Sequence, residues 1–167
     1  LPPFYDNNEY IDKLNKSINQ HLGTLKWEPD RILTSYHGLP RRYLDLGDPY
    51  HCHCHKTTRL LKEMNKKYSE KIILSFQSRF GREEWLKPYT EETVIGLAND
   101  GVKKLAILSP AFFSDCVETL EELNIGIQEV FMENGGEEFT LIPCLNDSKD
   151  GIDLLEYLIK NELQGWM

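Results

Sequence analysis

The sequence predicts an α/β fold: a three-layer, doubly wound domain on a four-stranded parallel sheet. Four short apolar, β-branched runs, at residues 31–36, 71–76, 103–108 and 139–143, are each bounded by turn-forming residues. Stretches of helical apolar spacing fall before, between and after them. The order is therefore α-β-α-β-α-β-α-β-α, which implies parallel pairing through right-handed crossovers. Ile72-Ile73-Leu74 and Leu105-Ala106-Ile107-Leu108 are continuously apolar rather than alternating, as in strands covered on both faces.

In chain order, Asp6 with Glu9 gives a capping-box signal, and Tyr10, Ile11, Leu14, Ile18 and Leu22 repeat at helical spacing before Gly23. The first strand, 31–36, runs into His37 and stops at Gly38 and Pro40. A second helix is expected over 57–68, leading to the strand at 71–76. A third, over 91–99, has Thr90 as cap and Gly101 just past its end. After the strand at 103–108, Ser114 caps a long helix over 115–133. Its apolar face is expected to be Cys116, Val117, Leu120, Leu123, Ile127, Val130 and Phe131. Gly135-Gly136 stops that helix before the strand at 139–143 and lacks the context of a dinucleotide fingerprint. The last helix, 150–161, is capped from 146 to 148.

The chain has 167 residues, 40% hydrophobic and 28% charged, which is enough for one domain, 1–167, with a real core. A net charge of −8 argues against nucleic acid, whose phosphates need a basic face. No apolar run approaches the ~20 residues that span a bilayer, and the start lacks the pattern of a signal peptide. Cys52, Cys54, Cys116 and Cys144 form no C-x-x-C pair, so reduced thiols and a cytoplasmic location are expected.

A parallel sheet sends every strand's carboxyl end to one rim, where open α/β sheets place their ligand sites. His37, Gln77-Ser78-Arg79 with Trp85, Ser109-Pro110-Ala111-Phe112, Asp115, Glu118 and Glu122 are therefore expected to converge. His37 is either an acid–base group or metal ligand, imidazole having a pKa near ~6.5, or a loop histidine bonded to a carbonyl. Asp115, Glu118, Glu122 and Glu129 are either the solvated side of an amphipathic helix or a cation path toward His37. Glu118 and Glu122 repel at i, i+4 unless a cation or proton lies between them. Trp85 and Tyr36 are packing anchors or flat faces for a flat ligand. The run His51-Cys52-His53-Cys54-His55 lacks the spacing of a closed zinc site and is expected to lead into a helix.

Three blocks carry a family resemblance. Residues 32–40, with Asp45, Gly47, Asp48, Pro49 and Tyr50, resemble the ferrochelatase signature; Gln77-Ser78-Arg79-Phe80-Gly81 with Trp85-Leu86 and Pro88, and the stretch 113–123, resemble two further family motifs. The likeness runs over nearly the whole chain, is of bacterial type, and corresponds to the carboxyl-terminal half of that family. It implies insertion of ferrous iron into protoporphyrin IX, the last step of haem formation, with release of two protons. By motif, His37 and Glu118 are the catalytic pair. His37, Glu118, Glu122 and Asp115 are the metal-handling groups, and Trp85, Tyr36, Ser78, Arg79 and Pro40 contact the porphyrin. The resemblance implies iron as substrate, no permanently bound cofactor, and porphyrin, iron and the amino-terminal half of the same protein as partners. A peripheral membrane contact of the full-length protein is compatible with it. The end at Trp166-Met167 carries no cysteine-rich tail, so no iron–sulfur cluster is expected. Cys116 and Gly126 stand where some members carry further polar residues. The alternatives are a chelatase for cobalt or another metal, and a non-catalytic metal- or porphyrin-binding module.

Overall fold

Strand β1, Arg31–His37, sits inside the sheet because both faces of its residues are apolar: Ile32 packs on one side and Leu33 on the other, both fully buried. The computed structural model describes residues 1–166, and Met167, on which the expectation about the chain's end partly rests, lies outside them. The sheet is wholly parallel in the order β2-β1-β3-β4, with β2 Ile72–Gln77, β3 Lys104–Leu108 and β4 Glu138–Leu141. Helices α1 (Asn8–Gly23), α3 (Tyr50–Met64) and α6 (Lys149–Glu162) cover one face through Ile11, Leu14, Ile18, Leu61 and Leu154, which meet Ile32, Ala106 and Leu108. Helix α4 (Thr90–Asn99), a π-helix (Glu118–Ile127) and its continuation α5 (Gln128–Glu133) cover the other. There Val94, Leu123, Ile127 and Phe131 meet Leu33, Leu105 and Ile107. Each such fully buried aliphatic or aromatic side chain contributes about 1.5–3 kcal/mol.

The three-layer α/β architecture is the expected one; several boundaries differ. Asn7, not Asp6, caps α1, its side chain accepting from the amides of Glu9 and Tyr10 at 2.9 and 3.3 Å. Helix α3 begins at Tyr50 instead of 57, because the Asp48 carboxylate receives the Tyr50 amide at 2.8 Å and starts the helix just after Pro49. The His51–His55 run therefore lies on the helix rather than ahead of it. A short helix α2, Arg41–Asp45, was not expected from the pattern. Thr90 is no cap: its hydroxyl is buried between those of Ser35 (2.9 Å) and Ser75 (2.8 Å), and α4 starts at it.

The largest difference is in the acidic helix. Ten residues wind as a π-helix, whose i→i+5 bonds widen the turn and rotate each side chain away from its α-helical position. Thr119, Leu123 and Ile127 face the core, while Val117 and Leu120, expected on the apolar face, are 59% and 51% exposed. Among the described residues no helix is long and apolar enough to cross a membrane.

Candidate active site

His37 is the last residue of β1 and pairs in register with Gln77, the last of β2. The chain then turns at Gly38, whose amide donates to the Gln77 carbonyl at 2.8 Å. A Cβ on Gly38 would lie 2.8 Å from that carbonyl oxygen and 3.1 Å from the Trp85 ring, so only glycine lets β1, β2 and the Trp85 loop close up. Tyr50, at the start of α3, donates its hydroxyl to the His37 carbonyl at 3.0 Å. The imidazole Nδ1 lies 2.7 Å from the Gly38 carbonyl, which can only accept. Nδ1 therefore carries the proton, and Nε2 of the neutral ring holds a free lone pair. The carbonyl-bonded reading of this histidine is therefore the one observed, and the same bond orients the other ring nitrogen, Nε2. Phe112, on the loop after β3, stands beside the ring at 6.4 Å between centroids.

Gln77, the strand neighbour of His37, ties the end of β2 to the acidic helix. Its buried Oε1 accepts from Ser35 at 2.7 Å, and its Nε2 donates to the Glu118 carbonyl at 2.9 Å and to the Glu122 carboxylate at 3.3 Å. Glu122 also accepts from the Ser78 amide and the Ser78 hydroxyl, both at 2.6 Å. These bonds hold Ser78 in the left-handed region, at φ 63°. Glu122 is thus a latch between β2 and the π-helix. Glu118 is partly exposed, and its carboxyl is held below the usual carboxylate range, first by the Cys116 thiol, then by its own backbone amide and the nearby His37. An anionic carboxylate and an imidazole with a directed lone pair therefore share one rim.

The remaining expected residues are distributed around these two. At Asp115, burial alone would raise the carboxyl, but bonds from Asn146, Cys144 and Thr119 outweigh it and leave it lowered. Its oxygens accept from Asn146 Nδ2 at 2.6 Å and Thr119 Oγ1 at 3.0 Å, so it staples the start of the π-helix to the loop after β4. It stands as a staple, and not as the free ligand its position in sequence suggested. Tyr36 is buried, with its hydroxyl 2.9 Å from that of Thr58 and its acidity suppressed by burial; it walls an apolar cavity instead of standing on the rim surface. Pro40 and Trp85 pair across an antiparallel bridge, and the buried Trp85 Nε1 has no hydrogen-bond partner. Arg79 is exposed, its guanidinium 4.4 Å over the Tyr89 ring and 3.3 Å from Glu92.

Two hollows open near the carboxyl ends of β1 and β2, lined by the neighbours Tyr36 and Gln77 and not by His37 itself. An apolar one of about 210 Å³ is walled by Tyr36, Tyr50, Cys54, Phe112 and Phe113. A groove of about 620 Å³, between β2, α4 and the π-helix, is lined by Glu91, Glu92, Glu118, Glu121, Glu122 and Glu129, with Arg79 at its edge. Among the described residues no three His, Cys, Asp or Glu side chains are grouped to hold a metal ion. A cation at this rim would need water, a substrate or other protein groups to complete its shell. Gln77 was expected at the rim and within a family motif, but its tie to the acidic helix was not foreseen, and neither was the bond of the Cys116 thiol to Glu118, Cys116 having been expected on the apolar face.

Residues 1–163 match the family model described as Ferrochelatase. The ferrochelatase of Agrobacterium fabrum (strain C58) is 52% identical over all 167 residues, which make up 48% of that protein; the ferrochelatase of Allorhizobium ampelinum is 54% identical over the same span and share. The chain thus spans about half the length of the curated relatives it matches. Among solved structures, SirB from Bacillus subtilis with Fe3+ has the same fold, at a TM-score of 0.58 and 15% identity over 89% of this chain and 53% of that one. With the family model matched over residues 1–163 and relatives more than 50% identical along all 167 residues, this chain belongs to the ferrochelatase family.

Proposed function

We propose that this chain is the half of a porphyrin-metallating enzyme that carries the proton acceptor and the cation-guiding carboxylate, acting on ferrous iron and protoporphyrin IX in haem formation. What supports this reading is that His37, with Nδ1 on the Gly38 carbonyl, ends β1 beside Gln77, whose side-chain amide bonds the Glu118 main-chain carbonyl, so that an oriented imidazole and a carboxylate held below its ordinary range lie at the same end of the sheet. Metal insertion needs two pyrrole N–H groups to lose protons while a hydrated cation sheds water. His37 takes the pyrrole protons at Nε2, because an imidazole is a better base near neutral pH than a carboxylate held below its ordinary range. Glu118 draws the cation in and hands protons toward the acidic groove and solvent. Glu122 and Asp115 hold the π-helix in place beneath it and add to the negative field that favours a cation.

The macrocycle lies against Trp85 and the Pro40 turn, with Ser78 and Arg79 at its edge and Tyr36 backing the apolar side. The opposite wall comes from an amino-terminal half, so this chain alone is weak or inactive. Iron is a substrate here and no resident cofactor is invoked. Four free thiols suit a cytoplasmic location.

The test joins the chain to the amino-terminal half of a relative and follows anaerobic insertion of ferrous, cobaltous and zinc ions. His37→Ala and Glu118→Gln are each expected to lower ferrous insertion by ~10²-fold or more. Wild-type turnover in both variants overturns the site. Cobalt insertion that outruns iron overturns the choice of metal but leaves the site intact.

A further inference from the structure

Helix α3 carries a run, His51 to His55, that the rim chemistry does not use. A helix turns ~100° per residue, so neighbouring side chains fan outward and only those four apart return to one face. Accordingly Cys54 is buried, His53 stacks on Tyr5 with centroids 3.6 Å apart, and Cys52 is exposed. His51 and His55 alone converge, with Nε2 to Nε2 at 3.1 Å. Among the described residues neither nitrogen has another hydrogen-bond partner. The His51 ring stacks on Phe76 at 5.7 Å between centroids, which fixes its direction. Burial lowers the pKa of both rings, and at His51 the charges of His55 and Arg41 lower it further, so both are neutral and able to ligate near neutral pH. The Arg41 charge is partly offset by Asp45, 3.1 Å away.

We propose that His51 and His55 form a chelating site for a borderline divalent cation of the Zn2+ or Cu2+ class, with water completing its shell. Two nitrogens 3.1 Å apart subtend about 100° at an ion ~2.0–2.1 Å from each, close to a tetrahedral angle. Without a cation, the same approach requires one Nε2 to carry a proton. Two protein ligands leave positions open, so the ion is exchangeable rather than sealed in as a structural metal. An imidazole pair ranks copper and zinc above ferrous iron, so this site is not an iron feed to the rim. It touches the rim only indirectly: Phe76, under His51, precedes Gln77 in β2.

Calorimetric titration with Zn2+, and Co2+ as its spectroscopic stand-in, tests this on the 167-residue chain. The unsubstituted chain is compared with His51→Ala, His55→Ala, Cys52→Ser and the double variant His37→Ala/Glu118→Gln. Removing either histidine should weaken one Zn2+ site by at least ~10-fold, since even outer-shell groups of metal sites carry that much. The Cys52→Ser chain and the rim double variant should keep that site, and bound Co2+ should show d–d bands without a thiolate charge-transfer band. Zn2+ binding unchanged in both histidine variants, lost in Cys52→Ser or in the rim double variant, or absent from the unsubstituted chain overturns the proposal.

Discussion

Gly38 fixes the position of His37 by having no side chain. A methyl group there meets a carbonyl oxygen at 2.8 Å and the Trp85 ring at 3.1 Å, and the carbonyl belongs to a sheet that cannot move aside. Gly38→Ala is expected to cost about 1–3 kcal/mol by overpacking and to displace Trp85, seen as a lower denaturation midpoint and altered tryptophan emission. An unchanged midpoint would mean that the Trp85 loop yields freely. Asp115 acts by charge instead. Its folded-state carboxyl is lowered by Asn146, Cys144 and Thr119, so its contribution is present above the unfolded-state pKa of ~3.9 and fades as pH falls through the lower folded value. The wild-type chain should therefore lose stability more steeply than Asp115→Asn as pH drops below about 4. Equal slopes would deny Asp115 that role. Sequence reading singled out both residues but for other reasons, Gly38 as a strand stop and Asp115 as a ligand. The partners that define them, Trp85 and Asn146, are distant in the chain and reachable only through the fold.

The π-helix is where element-level reading was least complete, and it carries Glu118 and Glu122 of the candidate site. Apolar spacing in 115–133 fits an α-helix by count, since the wider winding keeps Leu123, Ile127 and Phe131 inside while releasing Val117 and Leu120. Nothing local in the sequence announces i→i+5 bonding; it depends on what holds the helix from outside. Glu122 is one such hold, receiving three donors from Gln77 and Ser78, and Asp115 is another. Unpartnered, those Gln77 and Ser78 groups and the left-handed Ser78 would be left without compensation. Glu122→Ala should cost about 1–3 kcal/mol in urea unfolding. Glu122→Gln should cost less than half of that, because its remaining oxygen still serves the Ser78 amide and the Ser78 hydroxyl can turn to accept from the new NH2. Equal losses in the two variants would show that charge, and not bond count, sets the latch. The strands and their parallel pairing were legible because a doubly covered parallel strand is a continuous apolar run, whereas the order β2-β1-β3-β4 was not read from the pattern.

At the scale of the whole molecule, the sheet has both faces covered by this chain's own helices, and its three apolar clusters are buried by this chain alone. The rim differs. His37, Glu118, Trp85 and the apolar hollow by Phe112 open outward, and Phe80, Leu46 and Val117 beside them are exposed. Folding should therefore need only these residues, whereas the proposed holding of a flat macrocycle would need a second wall. The 167-residue chain should unfold cooperatively, with coincident far-UV and tryptophan transitions. Its rate of porphyrin metallation should fall at least ~10²-fold below that of the chain joined to an amino-terminal half, because misplacing reacting groups by about an ångström already costs that much. Adding the missing half as a separate polypeptide should recover part of the rate in proportion to its concentration, since association replaces a covalent link. Full turnover by the isolated chain would place the entire porphyrin site on this half and remove the need for the other wall. Non-coincident transitions would show instead that the sheet, and not only the cleft, depends on the partner half.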